Sequence, residues 1–246
     1  MSVVAVCSGK GAPGATFCAV HLAAALARAG EEVLLLDLDP AGGDVAAYLG
    51  LDTRRGLYPL LRMDNGIPEP VALLAEAEER DGVRAVCGFP EPSALSTSVD
   101  LLARTIQGAG DGRTVVCDLG RVSAESARVA ARSDLILLVV RPDLVSVLGA
   151  ERALRRLESE GVARERIAVV VAGAERRRPA DLAEVSGALG LDVIGSTPIN
   201  RRAARAVLQS QMPVRKGPLA RAFLGLAKTV HGRSVATHHP EEVAVA

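Results

Sequence analysis

Five stretches of this chain are apolar at nearly every position: SVVAVC (2–7), VLLLD (33–37), TVVCD (114–118), LILLVV (135–140) and IAVVVA (167–172). A strand with one face in water alternates apolar and polar residues, whereas a strand apolar throughout is buried on both faces. That pattern belongs to a parallel sheet covered by helices on each side. Two further strands are expected at 83–87 and 192–195, and helical patterns fall near 15–29, 44–49, 98–108, 123–132, 145–160, 179–189, 200–210 and 217–231. The regular alternation of strand and helix signals repeated βαβ units. The expected class is therefore α/β: a doubly wound, mainly parallel sheet with helices on both faces. With 246 residues the chain suits one such domain, drawn here as 1–233, followed by an aperiodic tail at 234–246 expected to be disordered. The stretch 52–81, punctuated by Pro59, Pro68 and Pro70, is less regular.

Composition narrows the function classes. Cys7, Cys18, Cys87 and Cys117 form no C-x-x-C pair and do not cluster with the four histidines, so small buried hydrophobes are a better reading than a metal site. No apolar run approaches the ~20 residues that span a bilayer, and no leader pattern follows Met1, so a cytoplasmic protein without stable membrane insertion is expected. Net charge is zero but uneven: residues 176–233 carry a net of +8, including Arg176-Arg177-Arg178, Arg201-Arg202, Arg205, Arg215-Lys216 and Arg221. Such a stretch either meets an acidic partner such as DNA or is a solvated helix surface.

The first strand runs into Ser8-Gly9-Lys10-Gly11-Ala12-Pro13-Gly14-Ala15-Thr16 and then an amphipathic helix. Glycines after a buried strand let backbone N–H groups converge on phosphate oxygens, while the following helix points its positive end at them. Thr16, in the first helical turn, is placed to hold Mg²⁺. Asp37 and Asp39 at the end of the second apolar run, and Asp118 at the end of the third, put carboxylates at the C-terminal ends of strands, where an open α/β sheet has its ligand crevice. Acids there are costly unless they serve a metal ion or position water.

These residues resemble the MinD/ParA family of deviant P-loop ATPases. The family turn K-G-G-x-G-K-[ST] aligns without a gap on Lys10–Thr16, its D-x-D-P-x-G-N segment on Asp37–Asp44, its second acidic strand on Val116–Leu119, and its A-D-x-V-I-L-V-x-x-P-[ED] run on Ser133–Asp143. The resemblance implies ATP (or ADP) and Mg²⁺ as ligands. It implies a nucleotide contact from Gly9, Lys10, Gly11, Ala12, Pro13, Gly14, Ala15, Thr16 and Phe17, and a base-flanking role for Pro198. It implies that Lys10 crosses a dimer interface to the partner's nucleotide, that Thr16 and Asp39 serve Mg²⁺ or the attacking water, and that Asp118 lies in the outer metal shell. Lys10 and Asp39 are thus the expected catalytic residues.

Three positions depart from the family. Ala15 replaces the lysine that contacts the β- and γ-phosphates, Phe17 replaces a second hydroxyl, and Ala172-Gly173-Ala174 stands where a base-reading Asn is expected. Loss of the second lysine is similar to the TadZ/CpaE branch, which implies a dimeric localisation factor of pilus-assembly or septum-site type, with a protein partner and weak or absent hydrolysis. The alternative is a ParA-like partition ATPase that meets DNA through the basic C-terminal third. A MinD-like membrane helix at the C-terminus is disfavoured, because no Lys or Arg follows Arg233.

Overall fold

The computed structural model describes residues 2–11, 13–39, 41–52, 56–57, 70–88, 106, 109, 112–174, 179–200, 205 and 215–238. Its elements in chain order are β1 (Ser2–Ser8), α1 (Ala15–Arg28), β2 (Val33–Asp37), α2 (Val45–Leu49), α3 (Pro70–Ala75), β3 (Glu78–Arg80) and β4 (Val83–Val86). They continue with β5 (Thr114–Arg121), α4 (Ala124–Ala130), β6 (Leu135–Val140), α5 (Leu144–Ser159), a 3₁₀ turn (Arg164–Arg166), β7 (Ile167–Ala174), α6 (Pro179–Leu189), β8 (Val193–Pro198) and α7 (Pro218–His238). The strands form one sheet in the order β3-β4-β2-β5-β1-β6-β7-β8. Every pairing is parallel except β3 with β4.

The apolar runs are explained by what covers each face. Val3, Ala5 and Cys7 of β1 join one core with Ala127 and Ala130 of α4 and Ala150, Ala153 and Leu157 of α5. Val4 and Val6 join a second core with Ala19, Leu22 and Leu26 of α1 and Phe223, Leu226 and Val230 of α7. Successive strand residues point to opposite faces, and both faces are dry, so the middle of each central strand is apolar at both parities and polar residues fall at the strand ends. Phe223 is the bulkiest fully buried side chain among the described residues, and burying such a ring stabilises by about 2–3 kcal/mol.

The expected α/β class is what the structure shows. Two boundaries differ from expectation. α7 continues through His238, so the line drawn at residue 233 falls inside a helix; the rest of the tail lies outside the described residues. An antiparallel strand, β3, precedes β4, joined to it by Asp81 and Gly82 at φ 56° and 80°, a two-residue reversal with both residues left-handed. The helices expected at 98–108 and 200–210 lie essentially outside the described residues.

β1 neighbours both β5 and β6, yet the chain leaves it through α1 for β2, beyond β5. Connections therefore diverge at β1, which opens a crevice over the C-terminal ends of β1, β2 and β5.

Candidate nucleotide and magnesium site

Strand parity builds the acidic part of this crevice. Asp118 is the register partner of both Val6 on β1 and Asp37 on β2. It therefore shares the face of Val4, Val6 and Val116, the face against which α1 packs and on which Thr16 begins its helix. Asp37 and Asp118 are both fully buried side by side. The Asp37 carboxylate accepts from Val45 N at 2.9 Å and Asp39 N at 3.4 Å. It fits only because Gly43 and Gly88 close around it: a Cβ at either position would overlap its carboxyl atoms. Burial, followed by the Asp118 charge, pushes Asp37 up to about 8. Burial pushes Asp118 up to about 7, opposed by the Thr16 hydroxyl and the Gly120 N–H.

Asp39 is half-buried. Its Oδ1 accepts from Ala41 N at 2.8 Å, and its pKa is raised by burial against that hydrogen bond. The carboxylate rests on Gly120, which has φ 56° and leaves no room there for a side chain. Gly120 N also donates to Asp118 Oδ1 at 3.1 Å. One glycine thus holds both acids of the pair Asp39–Asp118 in place.

The Gly-rich turn lies across the end of β1. Gly9 is pressed against Gly149 of α5, Lys10 is partly exposed and Gly11 is exposed, Pro13 is buried, and Gly14 caps α1 in a left-handed conformation (φ 101°). No side chain caps the helix and no acid stands in its first turn, so its leading N–H groups remain available to an anion. Ala12 lies outside the described residues. Ala15 is buried as the first helical residue. The Phe17 ring lies 3.9 Å from the His21 ring, with Phe223 at 6.1 Å and Tyr48 at 6.4 Å, in the cluster between α1, α2 and α7.

Lys10 Nζ lies 3.8 Å from Asp143 Oδ1, and Arg141 Nε lies 3.9 Å from Asp143 Oδ2. Asp143 Oδ1 also accepts from Ser146 N at 2.8 Å, which caps α5. Beside this cap, Leu144, Val145 and Leu148 are exposed, and Leu144 borders a groove of about 280 Å³ between α5 and α6. Pro198 ends β8, three strands from β1, roughly 14 Å across the sheet.

A magnesium ion fits the residues present. Asp118 Oδ2 is buried without a hydrogen-bond partner, and the Thr16 hydroxyl interacts with the same carboxylate. Among the described residues no set of three or more His, Cys, Asp or Glu could cage a metal. Mg²⁺ does not need one, since it keeps several waters and takes one or two carboxylates together with substrate phosphates. The sequence reading put Asp37 at a strand end in the crevice but did not foresee its full burial, and it met Asp143 only as the last residue of a motif run.

Known proteins share this fold. The ParA family model described as NUBPL iron-transfer P-loop NTPase matches residues 1–70. A chain of the MinC:MinD cell division protein complex of Aquifex aeolicus superposes with a TM-score of 0.77 over 94% of this chain and 96% of its own, at 20% identity. MinD of Pyrococcus horikoshii, complexed with Mg-ADP, does so with a TM-score of 0.71 over 93% and 95%, at 18% identity.

The fold is that of the MinD/ParA P-loop NTPases.

In sequence, the chain is 32% identical over 183 residues to the chromosome-partitioning ATPase Soj of Thermus thermophilus, covering 71% of this chain and 62% of Soj. It is 35% identical over 141 residues to the uncharacterized protein Rv3660c of Mycobacterium tuberculosis, covering 56% of this chain and 39% of that protein. The chain thus spans less than two thirds of the length of these curated relatives. These likenesses support the MinD/ParA kinship that Lys10–Thr16 and Asp37–Asp44 imply. No described helix is long and apolar enough to cross a membrane.

Proposed function

We propose that the protein binds ATP (or ADP) with Mg²⁺ and acts as a nucleotide-gated, dimeric positioning factor with weak or absent hydrolysis. The observation that carries this reading is the buried Asp118, with Thr16 and Asp39 beside it and one oxygen left without a partner at the foot of the phosphate turn. The helix N-terminus would hold phosphate oxygens, and Thr16 and Asp118 would hold Mg²⁺, which supplies charge neutralisation when bound. Asp39, nearer solvent, is suited to orient water. Ala15 brings no charge to the transferring phosphoryl group, which is why slow turnover is expected. Lys10 is the residue that would reach a second copy, and the exposed Leu144, Val145 and Leu148 beside it are apolar surface that association would cover.

The finer assignment to a TadZ/CpaE-like branch, with a pilus or septum role in the cytoplasm and a separate protein partner, rests on the missing lysine. Sizing the protein with and without ATP and Mg²⁺ tests the central claim. A shift from monomer to dimer is expected with ATP, lost in Lys10→Ala, and a monomer under all conditions refutes it. A second reading, association with DNA, is favoured by the exposed Arg215, Lys216, Arg221 and Lys228 at and along α7. A mobility-shift titration across salt decides it, since phosphate contacts weaken steeply as salt rises.

A further inference from the structure

We infer that Arg121 is the phosphate-binding cation of this crevice, taking over the task of the lysine that Ala15 displaces. The inference rests on the nucleotide reading above and adds a residue to it.

The crevice already holds Asp39 and Asp118 around Gly120 beside the phosphate turn, and a triphosphate would bring more negative charge to the same place. Among the described residues, three cations stand at the C-terminal ends of the central strands: Lys10 after β1, Arg121 at the end of β5 and Arg141 after β6. Lys10 and Arg141 share Asp143. Arg121 is exposed and in no ion pair with the described residues.

Its placement is fixed by the backbone. Arg121 is the register partner of Ser8, the residue from which the phosphate turn departs. Val122 N donates to Ser8 O at 2.9 Å, and Ser8 Oγ lies within hydrogen-bonding distance of both Lys10 O and Gly120 O, at 2.9 and 3.1 Å. Arg121 O accepts from Ser126 Oγ at 3.3 Å, tying the residue to the cap of α4. The preceding residue, Gly120, touches Asp39 and donates to Asp118. The arginine is thus anchored on the strand beside the turn, one residue from the groups that would manage the metal and the water. A guanidinium presents paired N–H donors that match phosphate oxygens and stays charged in any setting.

The test is a titration of ATP, ADP and AMP, with Mg²⁺, against wild type, Arg121→Ala, Arg121→Lys and the double variant Ala15→Lys with Arg121→Ala. Arg121→Ala should lose on the order of tenfold or more in ATP affinity while AMP binding changes little, because only the outer phosphates meet the guanidinium. Arg121→Lys should retain part of the affinity, and Ala15→Lys should restore the Arg121→Ala variant. Since Arg121 is exposed, thermal midpoints of Arg121→Ala and Arg121→Lys should match wild type. ATP affinity unchanged in Arg121→Ala, equal losses for ATP and AMP, or no rescue by Ala15→Lys overturns the assignment while leaving nucleotide binding intact. A wild type that takes up no ATP removes both.

Discussion

Gly120→Ala offers a direct probe of how the acids are held. The residue sits at φ 56°, where a side chain costs about 1–2 kcal/mol. An added Cβ would also press into the Asp39 carboxyl group, lying 2.7 Å even from Oδ1. Asp39 must then turn away and give up its hydrogen bond from Ala41 N, worth about 1 kcal/mol. The sum is roughly 2–3 kcal/mol, a fall of about 5–10 °C in thermal midpoint for a domain of this size. Gly112→Ala is the internal control: its φ is 71°, and nothing lies within 4 Å of the added Cβ, so only the backbone penalty applies. In an Asp39→Ala background the two glycine substitutions should cost the same, because the obstacle is gone. Differential scanning fluorimetry of the five variants, without nucleotide, measures all of this. Equal shifts for Gly120→Ala and Gly112→Ala in the otherwise wild-type chain would show that Asp39 does not rest on Gly120.

Three other outcomes are expected. Burial pushes Asp37 up to about 8 and Asp118 up to about 7, so the folded state holds protons that the unfolded chain has released. Metal-free stability should therefore fall as pH rises from about 4 to about 8, and Asp118→Asn should flatten that slope and stabilise the protein above neutrality, as urea titrations at several pH values will show. His21 is buried against Phe17 and Phe223, and desolvation lowers it to about 4. Its contribution is present above about pH 6.5 and lost as pH falls toward 4, so His21→Leu should blunt acid unfolding followed by circular dichroism. Phe223→Ala should cost about 3–5 kcal/mol by equilibrium denaturation, since it empties the core between α1 and α7.

Much of the architecture was readable because burial on two faces leaves an unmistakable trace. The runs LILLVV and IAVVVA became β6 and β7 within two residues of the expected ends. The β3 hairpin was not anticipated, since Glu78-Glu79-Arg80 has no apolar residue and holds its place by pairing with β4; the Asp81-Gly82 pair was its one readable signal. Within the site, strand ends gave Asp39 and Asp118 their positions from sequence. The burial of Asp37 was not legible, because it depends on Gly43 and Gly88 closing over it from separate segments. Nor was the Lys10–Asp143 pair, whose members are 133 residues apart and meet only because β1 and β6 are neighbours.

That pair has a consequence for motion. Asp143 receives Lys10, Arg141 and the Ser146 N–H together, and both charged partners are about half in water, where such a pair contributes up to about 1 kcal/mol. When Lys10 swings outward, Asp143 is not stranded: Arg141 and the start of α5 stay in place to satisfy it. The lysine is moored rather than locked, and a modest attraction elsewhere is enough to draw it off.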